Sequence, residues 1–84
     1  MTQPSDDIIA QAILDLAHRR GVGKTFCPSD IARNLVQDWR PLMTTVRSVA
    51  GRLVLEGRIE ATQKGLPVDP ESATGPIRLG LPRG

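Results

Sequence analysis

The chain has 84 residues, 39% of them hydrophobic and 24% charged, with a formal net charge of +2. At roughly 100–200 residues per domain this is one domain, and its balance is that of a folded chain, because disordered chains pair low hydrophobicity with high net charge. A domain of this size buries only about 60% of its unfolded surface, which argues against a deep catalytic pocket, and with Phe26 and Trp39 as the only aromatics a stacking platform for single strands is disfavoured as well.

Ser5 is placed to cap a first helix, with Asp6 and Asp7 in its first turn, where negative charge suits the helix dipole. Ile9, Ala12, Ile13, Leu16 and Ala17 recur at helical spacing and form one apolar stripe. His18, Arg19 and Arg20 close the last turn before Gly21. Residues 21–28 read as a connector in which Thr25-Phe26-Cys27 is a short extended piece ahead of Pro28. A second, two-turn helix is expected after Ser29 as N-cap, with Ile31, Ala32, Leu35 and Val36 inward, ending near Gln37-Asp38.

A third helix begins around Trp39-Arg40-Pro41, since proline is tolerated in a first turn. Leu42, Val46, Val49, Ala50, Leu53 and Val54 are its apolar set, and Gly57 ends it. Beyond Gly57 the period changes. Ile59, Ala61 and Gln63 alternate with polar neighbours as in a strand, residues 65–76 hold two glycines and three prolines and read as a loop, and Ile77-Arg78-Leu79 forms a second short strand. A two-stranded ribbon alone is marginal, so it must pack on the helices or take the Phe26 segment as a third strand. Residues 1–4 and 82–84 are tails. The sum is an α+β, mainly α fold: a winged helix-turn-helix of three helices plus a small antiparallel sheet, or wing.

Charge is unevenly spread. Residues 1–18 carry three acids and no lysine or arginine, whereas residues 19–64 carry nine basic groups against four acidic ones. That is a weak electrostatic footprint for a polyanion, or an ordinary solvated surface. Removing the core stripe from helix three leaves Arg40, Thr44, Arg47, Ser48, Gly51 and Arg52 along one side. Arginine grips guanine or phosphate bidentately, and small hydroxyls reach phosphate oxygens. Arg47 is the expected base-edge contact, Arg40 and Arg52 phosphate contacts, Thr44 and Ser48 positioning groups. Gly51 weakens the helix by about 1 kcal/mol, so something is expected to approach closely there. Arg58, Lys64 and Arg78 decorate the wing, with Lys64 at its tip; the bland reading makes them guards of exposed sheet edges.

Other chemistry fits poorly. Gly23-Lys24-Thr25 lacks the first glycine of a phosphate-binding loop, whose place falls on His18 inside a helix. Cys27 and His18 are the sole thiol and imidazole; a buried small side chain and a partner of the helix dipole are the better readings, and a single cysteine with a single histidine makes no zinc site within one chain. Trp39 reads as a packing anchor at the corner between helices. A lone cysteine forms no intrachain disulfide, the first residues are polar and acidic rather than signal-like, and no apolar run approaches the length of a membrane span. A cytoplasmic protein is expected.

The run Gly23-Lys24-Thr25-Phe26-Cys27-Pro28-Ser29-Asp30-Ile31-Ala32-Arg33, continued by Trp39-Arg40-Pro41-Leu42-Met43, Val46-Arg47, Glu56-Gly57-Arg58-Ile59, Gln63-Lys64-Gly65 and Gly75-Pro76-Ile77-Arg78-Leu79, resembles a small bacterial family known as domain of unknown function 3253. The likeness spans about residues 5–82. It implies a winged-helix-like domain and brings no activity and no functional residues with it; analogy to DNA-binding winged helices is at the level of fold alone. The expected function is a non-enzymatic module that binds duplex DNA through Arg40, Thr44, Arg47, Ser48 and Arg52 of helix three and Arg58 and Lys64 of the wing, in transcription regulation. The alternative is a protein-interaction or homodimerisation domain of the same fold. No cofactor, metal or membrane partner is expected.

Overall fold

A computed structural model of the protein describes residues 3–83; positions 1, 2 and 84 of the expected tails lie outside it. Helix α1 spans Asp6–Arg20, and the Ser5 hydroxyl accepts from the Ile8 N–H at 3.2 Å, as a capping serine does. Gly21, at φ 87°, closes the helix with its N–H on the Ala17 carbonyl. Helix α2 spans Pro28–Leu35. Its N-cap is Cys27 rather than Ser29, because Pro28 at N1 needs no partner for a missing N–H and the Asp30 carboxylate reaches back to the Cys27 N–H at 3.1 Å. The helix also stops at Leu35, two residues before the expected Gln37-Asp38, where Val36 becomes extended.

A 3-10 turn, Arg40–Leu42, leads into α3, Met43–Leu55, so the proline-containing start of helix three is tighter than an α-helix. Gly57 follows α3 at φ 74°. Strand β1 (Glu60–Gln63) turns through Lys64-Gly65 into the short β2 (Leu66–Pro67), which occupies the start of the segment read as loop; β3 (Arg78–Gly80) pairs with the other edge of β1. All pairings are antiparallel, in the order β2-β1-β3, with Ala61 opposite Leu79. Phe26 adds an antiparallel bridge to Leu79, with N–H to O distances of 2.9 and 2.8 Å. The extended piece between α1 and α2 thus extends the sheet beyond β3.

One apolar cluster joins the layers. Ile9, Ile13 and Ala17 of α1, Ile31 and Ala32 of α2, and Val46, Val49, Ala50 and Leu53 of α3 meet Phe26, Ile59, Ala61, Ile77 and Leu79. No polar or charged side chain is buried among the described residues. Three helices and a three-stranded antiparallel sheet, in the order helix, bridge, helix, helix, hairpin, make a mainly α α+β fold with the element order expected of a winged helix-turn-helix. Because α3 packs on both other helices with its apolar stripe, its opposite side is turned to solvent except at Gly51, which residues 69–71 cover.

Candidate nucleic-acid interface

The outward side of α3 follows from its inward one. Val46, Val49, Ala50 and Leu53 are buried, so at 3.6 residues per turn Thr44, Ser48 and Leu55 fall nearly opposite, with Arg52 beside them. Thr44, Ser48 and Arg52 are exposed, as is Arg40 in the turn that precedes the helix. Among the described residues the ion pairs are Arg58–Glu56 and Arg83–Glu60, and none of the described residues forms an ion pair with Arg40 or Arg52.

Arg47 is not part of this strip. Its guanidinium is turned onto residues 70–75, donating to the carbonyls of Ala73 and Gly75 at 2.8 Å each and more weakly to Pro70 at 3.5 Å. The expected base-edge contact is instead a clasp that holds a strap of chain against α3. The physical reason is supply and demand: a proline-rich segment with little regular pairing leaves carbonyls without partners, and arginine offers five donors in a rigid fork. Gln63 holds the same strap through Thr74 O at 2.6 Å and Pro76 O at 3.2 Å, while Pro70 is fully buried.

The strap also answers for Gly51. A Cβ built there would stand 3.5 Å from Glu71 Cγ and 3.7 Å from Asp69 Oδ1. The close approach expected at this glycine is therefore made by the protein's own strap. Between strap and helix lies an open cleft of about 420 Å³, with Arg52 and Leu55 on one wall and Asp69, Pro70 and Glu71 on the other. The Asp69 carboxylate is occupied by the Glu71 N–H at 3.0 Å and the Ser72 hydroxyl at 3.2 Å. These acids face Ser48, Gly51 and Arg52 across the cleft and leave the Arg40–Thr44 end of the strip outside it.

In the hairpin Lys64 stands at the tip, exposed, at φ 53° with Gly65 at φ 82°. Two successive positive φ values between Gln63 and Leu66 are those of a type I′ turn. Arg58 is exposed and lies 3.7 Å from Glu56. Arg78 is a second internal clasp: its Nε donates to Thr25 Oγ1 at 2.9 Å, Nη2 to Thr25 O at 2.9 Å and Nη1 to Cys27 Sγ at 3.0 Å. Cys27 is half-buried, and His18 Nδ1 donates to the Leu14 carbonyl one turn earlier in α1 at 2.7 Å. Each of the two side chains thus has its own structural partner.

The corner between α2 and α3 holds an arrangement that helical spacing does not show. Trp39 is half-buried and packs on the core, with the Arg33 guanidinium carbon 4.5 Å and the Arg40 one 4.7 Å from its ring centroid. Arg33, at the exposed end of α2, is absent from the set read off helix three. Its signal lay in the sequence only as an arginine, a tryptophan and a second arginine spanning a predicted corner.

Fold and surface together define a small α+β domain with an exposed polar strip, Arg40, Thr44, Ser48 and Arg52, running from the 3-10 turn along its third helix. The chain belongs to the family described as "Protein of unknown function (DUF3253)", whose model matches residues 6–82. No curated protein matches it. No helix of the described residues is long and apolar enough to cross a membrane.

Proposed function

We propose that the protein is a duplex-DNA-binding module of winged helix-turn-helix type, acting in a cytoplasmic setting as a regulator of transcription. The observation that carries this reading is the strip Arg40, Thr44, Ser48 and Arg52: exposed, without an ion pair among the described residues, and running from the 3-10 turn into the second helix of the helix-turn-helix pair, the one that enters the major groove in such folds. Lys64 at the hairpin tip and Arg58 supply the wing contacts. Arg47 has a structural role, so the groove is approached by the Arg40–Thr44 end of the strip, with Ser48 and Arg52 following beside the cleft that Asp69 and Glu71 line.

Fluorescence anisotropy of a labelled mixed-sequence duplex, measured over a range of salt, tests the reading. Arg40, Arg52, Arg58 and Lys64 on phosphates should together contribute about −3.6 to the slope of log affinity against log salt. A slope near zero, or no anisotropy change at low salt, refutes it.

The alternative, a protein-interaction or dimerisation domain, has one specific observation in its favour. Leu55 is 90% exposed at the end of α3, beside the cleft formed with Pro70. Sedimentation over a range of concentration would show self-association, and its loss in Leu55→Ser would favour this reading over DNA binding.

A further inference from the structure

Arg33 and Arg40 share one aromatic ring. Trp39 is anchored on the core, so the ring is a fixed platform, and the two exposed guanidiniums lie against it at 4.5 and 4.7 Å. A guanidinium held over an aromatic face by its charge still has N–H donors to spare, because it carries five. Among the described residues no hydrogen bond or ion pair engages either group. Asp38, next to Trp39 in sequence, pairs with neither, and the Asp30 carboxylate is taken by the Cys27 N–H. The corner therefore presents two cationic forks, ordered in advance and unfilled.

A stacked arginine has already lost much of the side-chain freedom that binding would otherwise remove. Planar forks match phosphate oxygens two at a time. In a helix-turn-helix pair the first helix crosses the nucleic-acid backbone as the second enters the groove, and this corner joins the two. We infer that the Arg33–Trp39–Arg40 corner is a phosphate clamp that grips the DNA strand bordering the groove, with Arg33 as a contact residue in addition to those on α3 and the hairpin. The inference rests on the DNA-binding reading above and names a specific place on the backbone for it.

Trp39 is the chain's single tryptophan, so its emission reports on this corner alone. The full-length protein is titrated with a short mixed-sequence duplex while anisotropy of the labelled DNA and Trp39 emission are both followed. Emission should change along the same saturation curve as anisotropy. Arg33→Gln, at an exposed position, should keep its thermal midpoint yet bind about three- to tenfold more weakly at low salt, with the salt slope flatter by about 0.9. Arg33→Lys should recover the slope, because the charge returns, and only part of the affinity, because the fork does not. If the wild type binds DNA with flat Trp39 emission, or R33Q binds with wild-type affinity and slope, the clamp is overturned while DNA binding through α3 and Lys64 stands. If the wild type gives no anisotropy change, both fall together.

Discussion

Replacing Arg47 by alanine removes three donated hydrogen bonds at once and leaves the Pro70, Ala73 and Gly75 carbonyls to find water. Hydrogen bonds from a charged donor are each worth about 1.5–3 kcal/mol, less where water competes. For this half-exposed cluster a loss of about 1–3 kcal/mol is expected, which at roughly 4–8 °C per kcal/mol in a domain of this size is readily seen in a thermal melt. An Arg47→Ala protein that melts like the wild type would show that the strap does not depend on the clasp. Gly51→Ala should move the other way. The added methyl meets Glu71 and Asp69 at ordinary contact distance, 3.5 and 3.7 Å, and alanine favours a helix interior over glycine by about 0.8–1 kcal/mol. A rise of a few degrees in the melting midpoint is expected; valine at the same place would push into the strap and reverse the sign. The identity of Arg47 as a candidate contact was legible, since α3's stripe assigns it to the polar side. Its fate was not, because that depends on a partner more than twenty residues away in a segment without periodicity.

Elements marked by local chemistry were read closely from the sequence. Ser5 and Gly21 bracket α1 as the caps require, the apolar stripe of α3 is buried residue for residue apart from the half-buried Val54, and Phe26 joins the sheet. Where two local signals compete the sequence is ambiguous. Ser29 and Cys27 both precede a helical run, and only the backward reach of Asp30 decides for Cys27. The Arg33–Trp39–Arg40 stack crosses from one helix to the next, so no single-helix period reveals it. The hairpin tip allows charge and conformation to be separated. A non-glycine residue in the left-handed region is strained by about 1–2 kcal/mol, and asparagine tolerates it better than lysine. Lys64→Asn should therefore raise the thermal midpoint by a few degrees while flattening the salt slope of DNA binding by about 0.9. A variant that is more stable and binds with an unchanged slope would remove Lys64 from the interface without touching its role in the turn.

For the whole molecule, one apolar cluster with no buried polar side chain carries the stability. At about 0.05–0.15 kcal/mol per residue, a chain of this length holds only some 4–13 kcal/mol in total. Phe26 is fully buried and also bridges to β3, and removing such a ring costs about 3–5 kcal/mol. Phe26→Ala should lower the melting midpoint by roughly 12–40 °C, and a variant that melts within a few degrees of the wild type would show that the ring is not a keystone of the cluster. So small a reserve makes ligand binding a sensitive probe, because any ligand that prefers the folded state adds RT ln(1 + [L]/Kd) to its stability, about 2.7 kcal/mol at a hundredfold excess over Kd. Duplex DNA at that excess should raise the wild-type midpoint by roughly 10–20 °C. The same increment separates the two parts that arginine plays here. In Arg47→Ala the starting midpoint is lower but the increment at equal DNA concentration should be preserved, since the residue holds the strap and not the DNA. In Arg33→Gln the starting midpoint is preserved and the increment shrinks. A reduced increment in Arg47→Ala would return that residue to the interface, and would mean that the strap opens when DNA is bound.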